Sequence, residues 1–218
     1  MTAQGYRRQF VSWLRHLELL LLVIAIGLLG WVVHEQVSAS RDQANWAEEL
    51  EQRLAATAAP AHSVATTVVA PAAPVPRQQL EATGTIGRIE IPRLWLSAIT
   101  REGADAGTLR RAVGHVPSTA LPGQAGNAAF AGHRDTFFRK LRDVKEGDEI
   151  VFTTPAGTHR YVVSDLRVVP PSDVSVLEPT ARPVLTLVTC YPFNYIGSAP
   201  QRFIVRASLR EPAHATGP

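Results

Sequence analysis

A chain of 218 residues with 45% hydrophobic residues and a formal charge of +3 has room for one ordinary domain plus appendages. Its Lys and Arg are scattered, with no basic run longer than a pair, which argues against nucleic acid as a partner. The single cysteine, Cys190, excludes an internal disulfide and leaves that thiol as either buried filler or a reagent.

Residues 1–16 carry Arg7, Arg8 and Arg15 and lead into LELLLLVIAIGLLGWVV, Leu17 to Val33, where Glu18 is the only charge. At 1.5 Å per residue this run reaches about 25 Å, a little short of a hydrocarbon core of ~30 Å. Trp13 and Trp31 stand at its ends, where amphipathic rings suit the interface. Arginines before the run, with Glu35 and Asp42 after it, orient residues 1–16 to the cytoplasm and the rest outside. The reading is a single-pass cell-membrane protein with a signal anchor over 17–34. A cleaved signal peptide is the alternative, with Val37-Ser38-Ala39 as the cleavage pattern.

Residues 35–55 are rich in helix formers, with Trp46, Leu50 and Leu54 at four-residue spacing, so a short juxtamembrane helix is expected. Its narrow stripe suits a spacer or a weak self-association surface. Residues 56–80 are Ala, Pro, Thr and Val with almost no charge; such a segment buries no core and reads as an extended linker. The next domain spans 81–210, and 211–218 reads as a disordered tail.

Within 81–210 the periodicity turns to strands. GTIGRIEIPRLWLSAIT places Ile86, Ile89 and Ile91 in a strand pattern, with Pro92 admissible only at an edge or a break. NAAFAG (127–132), 149–169 with a turn at Pro155-Ala156-Gly157, VLTLVTC (184–190) and RFIVRASL (202–209) are further strands. Short helices are expected at 107–113 and 135–142. Six to eight short strands with little helix define a mainly β domain, a closed barrel or a sandwich.

Outside the cytoplasm an unpaired thiol points to an intermolecular bond or a free reactive group. A thiol becomes a nucleophile only beside a base, a cation or a site that tunes its pKa. Of four histidines beyond the linker, His133 stands out because it ends a strand. His159 reads as an exposed strand position, His115 as a loop residue before Pro117, and His214 as part of the tail. If strands 184–190 and 202–209 pair antiparallel, Cys190 faces Arg202 across the ladder, and Ile204 and Arg206 share the face of Arg202. A guanidinium there stays charged and can stabilise an oxyanion. Arg202 as an ordinary surface residue, with Arg206 as a rival for the role, stays open on these grounds.

NAAFAGHRDTFFRKL, LTLVTCYPF and APQRFIVRA together resemble the signature segments of sortases, and GHRDTFFRKL with TCYPF resembles their class D. The resemblance covers roughly residues 84–209, in the same order: histidine, the strand ending in cysteine, then arginine. It implies a sortase-type eight-stranded β-barrel with short helices behind an N-terminal transmembrane helix and tether. It also implies His133, Cys190 and Arg202 as catalytic groups, with Thr189 contacting substrate beside the nucleophile. Asn127 and Asp135 fall in the matching segment without an assigned role.

The implied activity is that of a cysteine transpeptidase. It cleaves an LPxTG-like sorting signal of substrate proteins through a Cys190 thioester and passes the acyl group to an amine acceptor. No metal or organic cofactor is implied: some sortases hold calcium through loop carboxylates, but loop 170–183 offers only Asp173 and Glu178. An L,D-transpeptidase-like protein is disfavoured because TLVTCYPF lacks a glycine- and serine-rich signature around the cysteine. A membrane-anchored β-barrel binding module without catalysis is the alternative from another class.

Overall fold

The computed structural model describes residues 3–58 and 84–210. The linker over 59–80, the tail over 211–218 and His214 lie outside the described residues. Helix α1, Ala3–Ala58, is continuous, so residues 3–16 and the segments 17–34 and 35–55 share one helix, and residues 56–58, read as the start of the linker, are helical. Contacts divide the chain into residues 1–41 and 42–218.

In the first unit the side chains of Leu19, Leu20, Leu21, Leu22, Val23, Ile24 and Ile26 are exposed. A helix that is apolar all round has no face for a protein core and suits hydrocarbon. It is the one described helix long and apolar enough to cross a membrane.

The second unit is a β-barrel with the end of α1. Its strands are β1 (Thr85–Ile91), β2 (Leu96–Glu102), β3 (Val113–His115), β4 (Asn127–Ala131), β5 (Glu149–Thr154), β6 (Gly157–Val169), β7 (Val184–Tyr191) and β8 (Gln201–Leu209). The sheet closes in the order β1-β2-β3-β4-β7-β8-β6-β5, the eight-stranded barrel that the resemblance implies. Closure leaves no open sheet edge, and alternation sends every second side chain inward. Ile86, Ile89, Ile91, Phe130, Phe152, Tyr161, Leu185, Leu187 and Val205 fill the interior. A smaller cluster of Val169, Val176 and Ile204, flanked by Leu177 and Val188, sits on the opposite face of the β7–β8 ladder.

Most neighbours are antiparallel, but β2–β3 and β4–β7 are parallel. The β4–β7 pairing matters for the site. Two parallel strands finish at the same end of the barrel, so the chain leaving Ala131 and the chain leaving Val188 emerge side by side.

Several local expectations are refined. Pro92 opens a 3-10 turn, Pro92–Leu94, that separates β1 from β2, where its missing N–H costs nothing. Helix α2, Ala106–Arg111, is N-capped by Asp105, which accepts from the Gly107 and Thr108 amides. The expected helix at 135–142 is a 3-10 turn over Arg139–Asp143.

His115 is not in a loop: it ends β3 and is buried. Its Nδ1 lies 2.8 Å from Glu102 Oε2 and its Nε2 2.9 Å from Ala120 O, so both ring nitrogens have partners. His159 is half-buried rather than exposed. Its ring lies against Gly123, where an added Cβ would come within 2.2 Å of Cε1, and burial pushes its pKa below the ordinary imidazole value.

The helix stripe found at 46 and 50 has a use inside this unit. Leu50 is 1% exposed, and the Arg101 guanidinium sits 4.3 Å from the centre of the Trp46 ring. Gln43 donates to Arg111 O at 2.7 Å and accepts from Ile99 N at 2.8 Å. Glu51 pairs with Arg88 at 3.0 Å. Gln43, Trp46 and Glu51 are thus engaged with β1, β2 and α2 of the same unit.

Candidate active site

The β7–β8 ladder sets the first relation. The register is antiparallel and places Cys190 opposite Arg202, Val188 opposite Ile204 and Thr186 opposite Arg206. Cys190 and Arg202 are both half-buried, and the thiol is unpaired. Because side chains alternate, Leu185, Leu187 and Thr189 face the interior, while Val188 and Cys190 face outward with Arg202, Ile204 and Arg206.

The second relation comes from β4. Ala131 pairs with Val188, and the Gly132 amide donates to Val188 O at 3.1 Å. Thr189 is buried, and its hydroxyl donates to Gly132 O at 2.7 Å. Gly132 is therefore held on both its amide and its carbonyl by β7. A Cβ at Gly132 would meet the Phe138 ring at 2.7 Å, so only glycine lets Phe138 close against the chain. His133 comes next and is exposed. Its carbonyl accepts from the Phe138 amide at 3.0 Å, which turns the chain back into the barrel wall.

His133, Cys190 and Arg202 thus sit at the ends or start of three adjacent strands, at one end of the barrel. The Thr189 side chain points inward and braces the step before His133; what it offers outward is backbone. Arg202 Nη1 donates to Ala199 O at 3.2 Å and Gln201 O at 3.0 Å, so the guanidinium is tied to the lead-in of its own strand. Arg206 lies further along. Its Nη2 reaches Val176 O at 3.5 Å, and its buried Nε has no partner.

Two side chains have tasks that the sequence does not reveal. Asn127 is buried; its Nδ2 donates to Val176 O at 2.9 Å and Glu178 O at 3.2 Å, and its Oδ1 accepts from Thr186 Oγ1 at 2.6 Å. It fastens the 3-10 turn Val174–Leu177 over the outer face of β7. Arg134 is 6% exposed and donates to carbonyls of the β7–β8 loop. Neither leaves a mark in a single sequence, because the partners are backbone carbonyls and one hydroxyl far along the chain. Asp135 is exposed, with Oδ1 3.4 Å from Arg134 Nε. Among the described residues, no three His, Cys, Asp or Glu side chains gather as a metal site.

Set beside known proteins, residues 89–210 match the family described as "Sortase domain", more than half of the 218 residues. The chain belongs to the sortase family. It is 34% identical over 120 residues to Sortase D of Bacillus subtilis (strain 168), covering 55% of this chain and 61% of that protein. The match thus spans less than two thirds of that relative. A Sortase D5 transpeptidase from Clostridium perfringens shares the fold with a TM-score of 0.59 at 25% identity, over 79% of this chain and 98% of that one. Sortase C from the same organism, determined with the C-terminal cell wall sorting motif, gives a TM-score of 0.54 at 25% identity, over 58% and 71%.

Proposed function

We propose that this chain is a membrane-anchored cysteine transpeptidase that cleaves an LPxTG-like sorting signal and joins the released acyl group to an amine. The observation that carries the reading is the register pair Cys190–Arg202 beside the β4 exit that bears His133, in a chain of the sortase family. The Cys190 thiolate attacks the carbonyl of the sorting threonine, and a C–S bond forms as the C–N bond to the next residue breaks. The acceptor amine then forms a new C–N bond as the C–S bond breaks and the thiolate returns. His133 protonates the departing amine and later takes a proton from the incoming one. Arg202 steadies the oxyanion in both steps, since its guanidinium is charged at any working pH.

Thr189 enters through its backbone beside the nucleophile and through its brace on Gly132. Val188, half-buried on the outer face two residues before Cys190, suits the apolar leucine and proline of such a signal. Acceptors and clients are an envelope or protein amine and secreted proteins ending in the signal. The arginines before residue 17 orient the span with the barrel outside the cell membrane.

The test is mass spectrometry of the protein incubated with an LPxTG-type peptide. A thioester adduct on Cys190 is expected, with none in Cys190→Ala. Peptide cleavage that survives Cys190→Ala would sink the reading and leave the thiol without a catalytic role.

A further inference from the structure

The loop from Pro192 to Pro200 joins the strand of Cys190 to the strand of Arg202, and it has little packing of its own at the tip. Ile196 is 98% exposed and Tyr195 45%, and a Cβ at Gly197 would meet nothing within 4 Å. Such a loop should be mobile unless something outside it supplies order.

Arg134 supplies it. The guanidinium donates Nη1 to Pro192 O at 2.8 Å, and Nη2 to Tyr195 O and, at 3.2 Å, to Gly197 O. Its carbon lies 5.9 Å from the centre of the Tyr195 ring. A charge buried to 6% exposure is costly unless its donors are satisfied. Among the described residues the carboxylate paired with it, Asp135, is 3.4 Å away with a side chain 73% exposed, so the loop carbonyls carry most of the compensation. Five donors in a rigid fork suit that task, and an ammonium would reach fewer carbonyls.

The contact links catalytic groups that do not touch through it. On one side the guanidinium is attached to the residue after His133. On the other, the loop it holds supplies the Ala199 carbonyl that takes Arg202 Nη1. We propose that Arg134 is a positioning residue: by holding the carbonyls of Pro192, Tyr195 and Gly197 it fixes the β7–β8 loop and, through Ala199, the aim of Arg202 relative to His133 and Cys190. The catalytic part of this inference rests on the function proposed above; the loop-fixing part does not.

The experiment compares Arg134→Met, Arg134→Lys, Arg202→Ala and the Met/Ala double variant in detergent-solubilised full chain. Amide exchange and steady-state kinetics with an LPxTG-type peptide are both measured. In Arg134→Met, amides of 193–199 should exchange about tenfold faster while β7 and β8 keep their protection. Its kcat should fall about 10–100-fold, the scale of a small misplacement, with KM nearly unchanged. Arg134→Lys, which keeps the charge and some donors, should recover part of both.

The double variant should lose much less than the product of the single losses, because Arg134 acts through Arg202. A residue that only supports the fold would lose protection throughout the barrel and multiply with Arg202→Ala. That pattern, unchanged loop exchange in Arg134→Met, or a kcat within twofold of the parent would overturn the proposal. Should Arg134→Met not fold, Arg134→Lys decides by the same readouts. A parent that forms no acyl-enzyme fails the function reading instead, and the exchange comparison still decides the loop.

Discussion

Arg202 and Arg206 share a face of β8, yet the ladder gives them different neighbours. Arg202 stands across from Cys190, whereas Arg206 stands across from Thr186, further from the thiol and partly under Val176. An oxyanion donor acts only at about 3 Å from the developing charge, so strand position decides between them. Arg202→Ala should lower kcat on the order of 10²–10³-fold, the scale of one lost oxyanion donor. Arg206→Ala should change kcat far less, and peptide turnover by both variants at saturating substrate measures the difference. Equal losses would move the oxyanion role off Arg202. At this scale Cys190 facing Arg202 was legible on the condition that the two strands pair antiparallel end to end, and the ladder meets that condition. The tasks of Arg134 and Asn127 were not, since their partners are carbonyls and a hydroxyl that only the closed barrel brings near.

Strands were legible where alternation runs long, as in β6 and β7, and poorly so where an element is short. β3 has only the three residues Val113–His115, too few for a period, and so His115 read as loop. His159 shows the same limit, because a half-polar strand does not reveal that a glycine turn from elsewhere covers its ring. The covered ring makes stability depend on pH. Burial holds the His159 pKa below its ordinary value, near 6.5 for an unfolded imidazole. Between those two values the unfolded chain binds a proton that the folded chain refuses. The stabilisation is therefore full above about pH 6.5, falls as the pH drops toward the folded pKa, and changes no further below it.

His159→Gln should flatten that part of the pH–stability profile. Gly123→Ala should do so too by displacing the ring, given the 2.2 Å approach and a φ of +82°. It should also cost roughly 1–3 kcal/mol at neutral pH through overpacking and backbone strain. Urea midpoints for parent and both variants across pH 5 to 8 test this; a parallel slope in His159→Gln would refute the assignment.

At the scale of the whole molecule the question is where the folded unit begins. Composition placed the start near residue 81, after the proline-rich run, because a linker and a barrel differ sharply in sequence. It carried an apolar stripe at Trp46, Leu50 and Leu54 but no sign that the barrel is what meets residues 42–58, and Gln43 is an ordinary residue for an exposed helix. Their partners on β1, β2 and α2 make the difference. Burying Leu50 contributes roughly 1.5–3 kcal/mol, and the Arg101–Trp46 contact adds about 0.5–1 kcal/mol. Gln43 also satisfies the Ile99 amide and the Arg111 carbonyl, which water can take over once the helix is gone.

A protein beginning at Asp42 should therefore match the barrel stability of the full chain, while one beginning at Glu81 should fold with the same strands but lose about 2–4 kcal/mol. Both should keep Cys190 reactive, because Gln43, Trp46 and Glu51 make their contacts with β1, β2 and α2, elements that do not carry the thiol. Urea melts of the two truncated proteins, each monitored by circular dichroism and by the rate of Cys190 alkylation, measure both claims. Equal midpoints would show that the helix rests on the barrel without stabilising it. An unfolded shorter protein would show that the barrel cannot close unaided, and that the apolar stripe of the helix is part of its core.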